Sequence, residues 1–116
     1  MTNKDVKPNT NPHLMRDRCE QIGLPEPHSG EEQIGYVRRL LMSGHSINTR
    51  QARFIGIHNL HSIAAELRRR LMFETEHRSV LEPLTGVMLR QPVDVLFMTP
   101  EQILLVKEYA PTEAEA

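Results

Sequence analysis

Gly56 separates two helical patterns, and no other single position limits the chain's fold so strongly. Upstream of it, Asn48 and Gln51 stand at the spacing where a capping side chain and a third-position side chain satisfy each other's orphan backbone N–H groups, while Ile47 is placed to staple against Ala52 one turn in. These signals predict a helix from Thr49 to about Ile55. Downstream, Leu60, Ile63, Ala64, Leu67 and Leu71 recur at the intervals of one apolar helical face, and Ala64 to Arg68 are mostly good helix formers. Glycine visits positive φ without steric cost, so the backbone can turn sharply between the two helices at Gly56. Ala52, a small residue shortly before it, lets the crossing helices approach closely.

The flanking segments extend this pair. Ser29 and Glu32 have the spacing of another capping box, and Ile34, Val37 and Leu41 then share one face until Gly44 supplies a left-handed stop, which predicts a helix opening at Ser29. After Met72 the period changes to two. Phe73, Thr75, His77, Ser79 and Leu81 alternate along one extended segment, EPLTGVML supplies a turn, and Val87, Leu89, Val93, Val95 and Phe97 alternate along a second. Pro92, which cannot donate to a ladder, marks a bulge or an edge strand. Thr99 as N-cap and Pro100 at the first helical position open a last helix through about Tyr109. Its centre, ILLV, is apolar on every side, so the helix from Thr99 to Tyr109 is expected to pack on its own domain with one face and on a second subunit with another, giving a homodimer.

The expected fold is therefore mainly α with a small β-hairpin, in the form of a three-helix core, a two-stranded wing and an additional C-terminal helix over residues 29–110. Met1 to about Pro27, interrupted by Pro8, Pro12, Pro25 and Pro27, reads as a disordered or weakly ordered tail with room for one helical turn between Leu14 and Ile22; residues 111–116 read as a disordered acidic tail.

A chain of 116 residues provides one small domain. Aromatics make up 4% and Trp is absent, so the interior has to be built from Leu, Ile, Val and Met, and no cofactor is expected in it. The lone Cys19 allows no intrachain disulfide, and neither a signal-peptide core nor a membrane-spanning run occurs, which predicts a cytoplasmic protein with no membrane partner. His58 and His61 stand one helical turn apart and His13, Cys19 and His28 could add ligands, but no recognised ligand spacing joins them, so no metal site is expected. No nucleophile sits on a strand-turn-helix elbow and there is no glycine-rich phosphate loop, so no enzyme is expected and no catalytic residue is assigned.

The formal net charge of −1 conceals an uneven distribution. From Tyr36 to Leu81 the cations are Arg38, Arg39, Arg50, Arg53, Arg68, Arg69, Arg70 and Arg78 against Glu66, Glu74 and Glu76, so the middle is basic and both ends are acidic.

Helix, capped helix, glycine turn, helix and two-stranded hairpin, in that order, resemble a winged helix-turn-helix, and the match is closest to the small domains of this kind in phage and prophage proteins. The resemblance spans about Gln33 to Arg70 and is carried by Ser46, Ile47 and Asn48, by Ala52, by Gly56 and Ile57, and by Glu66 to Arg70. Two departures are present: the apolar positions after Gly56 fall about one residue later than in the tightest motifs, and Leu71 stands where the family often ends this helix with glycine. The resemblance implies a DNA-binding protein, in which the helix after Gly56 enters the major groove and the helix before it crosses the backbone.

At 100° per residue from Leu60, the side opposite the apolar stripe carries His58, Ser62, Ala65 and Arg69, with Asn59 and Glu66 on one edge and His61 and Arg68 on the other. That face is polar and rich in donors. Asn59, His61, Ser62 and Ala65 are expected to read base edges, and Arg50, Arg53, Arg68 and Arg69 to contact phosphate, with His58 beside them and Arg78 and Arg90 flanking on the wing. Arg70 is expected instead to pair with Glu66 one turn earlier. The expected function is sequence-specific binding of double-stranded DNA by a phage- or mobile-element-type transcriptional regulator. The alternative is a protein-protein interaction module that uses the same fold to bind a host or viral protein without reading DNA.

Overall fold

The computed structural model describes residues 14–109. Among them the chain forms α1 (Arg16–Gln21), α2 (Gln33–Met42), β1 (Ile47–Asn48), α3 (Thr49–Phe54), α4 (Leu60–Leu67), β2 (Glu74–Arg78), β3 (Val93–Phe97) and α5 (Pro100–Tyr109). The strands make one antiparallel sheet in the order β1-β3-β2. The expected two-stranded wing is thus part of a three-stranded sheet, because Ile47 and Asn48 pair with Leu96 and Val95. Two residues are too few to show an alternation.

The helix pair is built as its signals require. Gln51 N–H donates to Asn48 Oδ1 at 2.8 Å and Asn48 N–H donates to Gln51 Oε1 at 3.1 Å, completing the capping box. Gly56 takes φ +107°, where a Cβ would be strained. Ile47, Ala52, Leu60, Ala64, Leu67 and Leu71 are buried in one core with Tyr36, Val37, Leu40 and Leu41 of α2, and Ile63 packs against its edge. At about 1.5–3 kcal/mol for each large side chain removed from water, this stripe holds α4 against α2.

Three expectations require correction. The helix expected from Ser29 begins at Gln33: Glu32 is its N-cap without a side-chain bond, Gly30 sits at φ +74°, and His28 N–H donates to Glu31 rather than leaving Ser29 to cap. Glu31 is drawn to Arg39, whose Nε and terminal nitrogen reach its two oxygens at 2.9 and 2.8 Å. That fork, with the carboxylate 12% exposed, holds the Glu31 carboxyl below its ordinary range.

Residues from Leu14 to His28, expected as tail, are part of the fold. Cys19 and Leu24 are fully or nearly buried, burial pushes the Cys19 thiol up, and Tyr36 Oη donates to the Pro25 carbonyl at 2.5 Å. This segment braces the helix turn. Met15 N–H donates to the Ile55 carbonyl at 2.9 Å, Arg18 donates to the Phe54 carbonyl at 3.1 Å, and Gln33 Nε2 donates to the Gly56 carbonyl at 3.2 Å. Three successive carbonyls at the end of α3, which the helix itself leaves unpaired, therefore find donors on α1, α2 and the residue before α1. The parts of the expected tails at residues 1–13 and 111–116 lie outside the described residues.

The third correction concerns the arginines. α4 ends at Leu67, and Arg69 and Arg70 N–H groups donate to the carbonyls three residues back, Glu66 and Leu67, in a tight turn. The turn keeps Leu71 buried while redirecting the chain into β2.

α5 starts as expected, with Thr99 and Gln102 each bonding the other's backbone N–H at 3.1 and 3.0 Å. Ile103 and Val106 pack against the core, whereas Leu104 is 64% and Leu105 40% exposed.

Candidate nucleic-acid interface

Four of the expected contact residues converge on one concavity. Thr49, Arg50 and Arg53 from α3, His58 just before α4, His61 in its first turn, and Val93 from β3 line a pocket of about 280 Å³. No carboxylate lines it. Arg50 is tethered loosely, its terminal nitrogen 3.8 Å from Glu82 on the hairpin, and Arg53 has no partner among the described residues. The pocket exists because the capping box sets α3 in register with α4 across Gly56, which brings the outward residues of α3 against the first turn of α4.

Along α4 the opposite side of the apolar stripe is open to solvent. His58, Asn59, His61, Ser62, Ala65, Glu66 and Arg69 are all exposed. Because the helix is only Leu60–Leu67, Ser62 and Ala65 lie on it, while His58 precedes it and Arg69 follows it in the turn. Asn59 is the N-cap residue yet makes no side-chain cap bond, which leaves its amide free for another partner. Eight residues at 1.5 Å each give about 12 Å of presented helix, comparable to the width of a major groove.

The three arginines after the helix have different fates. Arg68 donates to Thr75 Oγ1 at 2.6 Å and lies 4.5 Å over the Phe73 ring, which ties it to β2. Arg70 stands 4.0 Å from Glu66, the internal pair expected of it. Arg69 alone has no partner among the described residues.

The hairpin lies beside this face. Asp94 receives His77 Nδ1 at 2.9 Å on one oxygen and has His61 Nδ1 at 3.7 Å from the other, so one strand carboxylate sits between the sheet and α4. Sequence reading missed Asp94, although its place between Val93 and buried Val95 points it away from the core. An anion is accordingly better received on the Arg50 and Arg53 side of the pocket than on the His61 side. Arg78 ends β2 with Glu76 at 3.5 Å, and Arg90 lies in the return segment with no partner among the described residues; neither lines the pocket.

His58 and His61 share the pocket, but among the described residues no group of three or more His, Cys, Asp or Glu side chains is placed to hold a metal ion. No described helix is long and apolar enough to cross a membrane. No family model matches the chain, and no match to it was found among the curated proteins or the solved structures.

Proposed function

We propose that the chain binds double-stranded DNA sequence-specifically as a winged helix-turn-helix transcriptional regulator of the phage or mobile-element type. The observation that carries this reading is the pocket between α3 and α4, where two guanidiniums and two imidazoles meet beside an exposed, donor-rich helix face, with Glu82 3.8 Å from Arg50 and Asp94 3.7 Å from His61 just outside the lining. A backbone phosphate fits the Arg50 and Arg53 side, which positions the molecule, and Asn59, His61, Ser62 and Ala65 then face base edges. Arg69, without a partner among the described residues, adds a cation beyond the helix and Arg68 a tethered one. His58 lines the same pocket.

The order of α2, β1, α3, α4, β2 and β3 supports the winged-helix resemblance, and the exposed Leu104 and Leu105 on α5 support a homodimer. That same apolar surface favours the second reading, a module that grips a protein. A gel-shift series across salt concentrations separates them. Duplex retarded at low salt and released steeply as salt rises is the expected result, whereas no retarded duplex at low salt refutes DNA binding.

A further inference from the structure

Imidazoles gather around the cationic pocket. His58 and His61 line it together with Arg50 and Arg53, and His77 on β2 shares the Asp94 carboxylate with His61. Histidine is the side chain whose ordinary pKa, about 6.5, falls between pH 5 and 8, so the pocket combines two permanent cations with two groups whose charge depends on pH.

The charges around the two pocket imidazoles are few. From α3 they meet Arg50 and Arg53, from β3 Asp94, and from the hairpin Glu82 lies beside Arg50 at 3.8 Å. On α4 itself Glu66 is the one carboxylate, and Arg70 stands 4.0 Å from it.

Asp94 is arranged to hold one imidazole and to wait for another. His77 and Asp94 are direct cross-strand partners, which brings His77 Nδ1 to 2.9 Å from Oδ1; because a carboxylate only accepts, that nitrogen carries the proton. The second oxygen lies 3.7 Å from His61 Nδ1, beyond hydrogen-bond reach, and attracts His61 only when the ring is charged. His61 is 73% exposed. Among the described residues neither His58 nor His61 makes a hydrogen bond, so both remain open to a bound anion and to protons from solvent.

We propose that binding of duplex DNA at this pocket is coupled to proton uptake by His58 and His61, whose imidazolium forms add their charge directly to that of Arg50 and Arg53 against the duplex. The inference rests on the DNA-binding reading and names the regulation of that site. An imidazolium is attracted by phosphate and a neutral imidazole is not, so the duplex favours the protonated ring. Affinity therefore climbs as pH falls from 8 towards 6 and levels off once the free protein is itself protonated. Asp94 supplies the charged His61 with a counter-ion in the absence of DNA.

Anisotropy titrations of one labelled duplex at pH 6, 7 and 8, each at several salt concentrations, read the coupling. Calorimetry at pH 7 in two buffers of different ionisation enthalpy counts the protons. Each proton taken up tightens binding about tenfold per pH unit, so the full chain is expected to bind at least about tenfold more tightly at pH 6 than at pH 8. Its log–log salt slope should steepen at pH 6 by about 0.9 for each imidazolium that neutralises a phosphate. H58Q/H61Q should lose most of the difference between pH 6 and pH 8, whereas His45→Gln, outside the pocket, should keep it. Asp94→Asn should keep it too; its loss there would trace the effect to the contact between β3 and α4 and overturn direct action by the imidazoles. Equal binding at pH 6 and pH 8, no proton uptake, or a double variant with the parent's pH profile overturns the coupling and leaves the DNA reading standing. Absence of any binding at pH 6 and low salt refutes both.

Discussion

Arg53 and Arg69 are the cations through which the DNA reading is most exposed to test. Both side chains are solvent-exposed, and neither has a partner among the described residues. Replacing both with glutamine therefore removes charge without breaking an internal contact, and the unfolding free energy should stay within about 0.5 kcal/mol of the parent. If Arg50, Arg53, Arg68 and Arg69 each release counterions at one phosphate, the log–log slope of affinity against salt is about −3.6 per protomer, so a fourfold rise in salt weakens binding about 150-fold. The double variant keeps two cations, and its slope falls to about −1.8, a loss of only about 12-fold over the same range. Arg50 and Arg68 already have neighbours at 3.8 and 2.6 Å, which makes the two free guanidiniums responsible for at least half of the effect. Anisotropy titrations of one labelled duplex at several salt concentrations give both slopes. An R53Q/R69Q slope equal to that of the parent would show that these residues do not meet phosphate and would refute the assigned interface.

Other outcomes follow from single contacts. Gly56→Ala forces a Cβ into φ +107° at a buried turn and should cost at least about 1–2 kcal/mol in urea unfolding; an unchanged unfolding free energy would refute the need for positive φ at this position. Glu31→Gln should cost about 1–3 kcal/mol at neutral pH, because it breaks the charged fork to Arg39. Since Arg39 lowers the folded-state pKa of Glu31, that contribution is complete above the ordinary carboxylate pKa of about 4.3 and disappears as pH falls through the folded value; the gap between parent and variant in thermal melts should close in acid. Paired substitution of Leu104 and Leu105 by Lys should shift sedimentation from dimer to monomer while leaving the melt nearly unchanged, and a monomeric parent at high concentration would refute the α5 dimer.

Signals confined to a few neighbouring residues were legible in the sequence. Asn48 with Gln51, Thr99 before Pro100, and Gly56 each state a local geometric need, and each is met in the structure. The face of α4 was legible for the same reason, since a helix repeats its environment at a fixed interval. What escaped depended on partners far along the chain. Ser29 and Glu32 had the spacing of a cap, but Arg39 claims Glu31, and the helix starts after that pair. Cys19 and Leu24 form no long periodic stripe, and become core only because α3 ends with unpaired carbonyls that Met15 and Arg18 can reach. Asp94 mattered only once the sheet set it next to α4, and α4 stopped at Leu67 because the chain had to turn into β2.

Asn48 belongs to two systems at once. Its backbone pairs with Val95 in the sheet, and its side chain fixes the first turn of α3. Slipping the ladder by one position would swing Ile47 out of the interior and unseat the helix in the same movement. A displacement of the hairpin is thus felt at the start of α3 through Asn48, and again one residue into the helix through the Arg50–Glu82 contact, both at the edge of the cationic pocket.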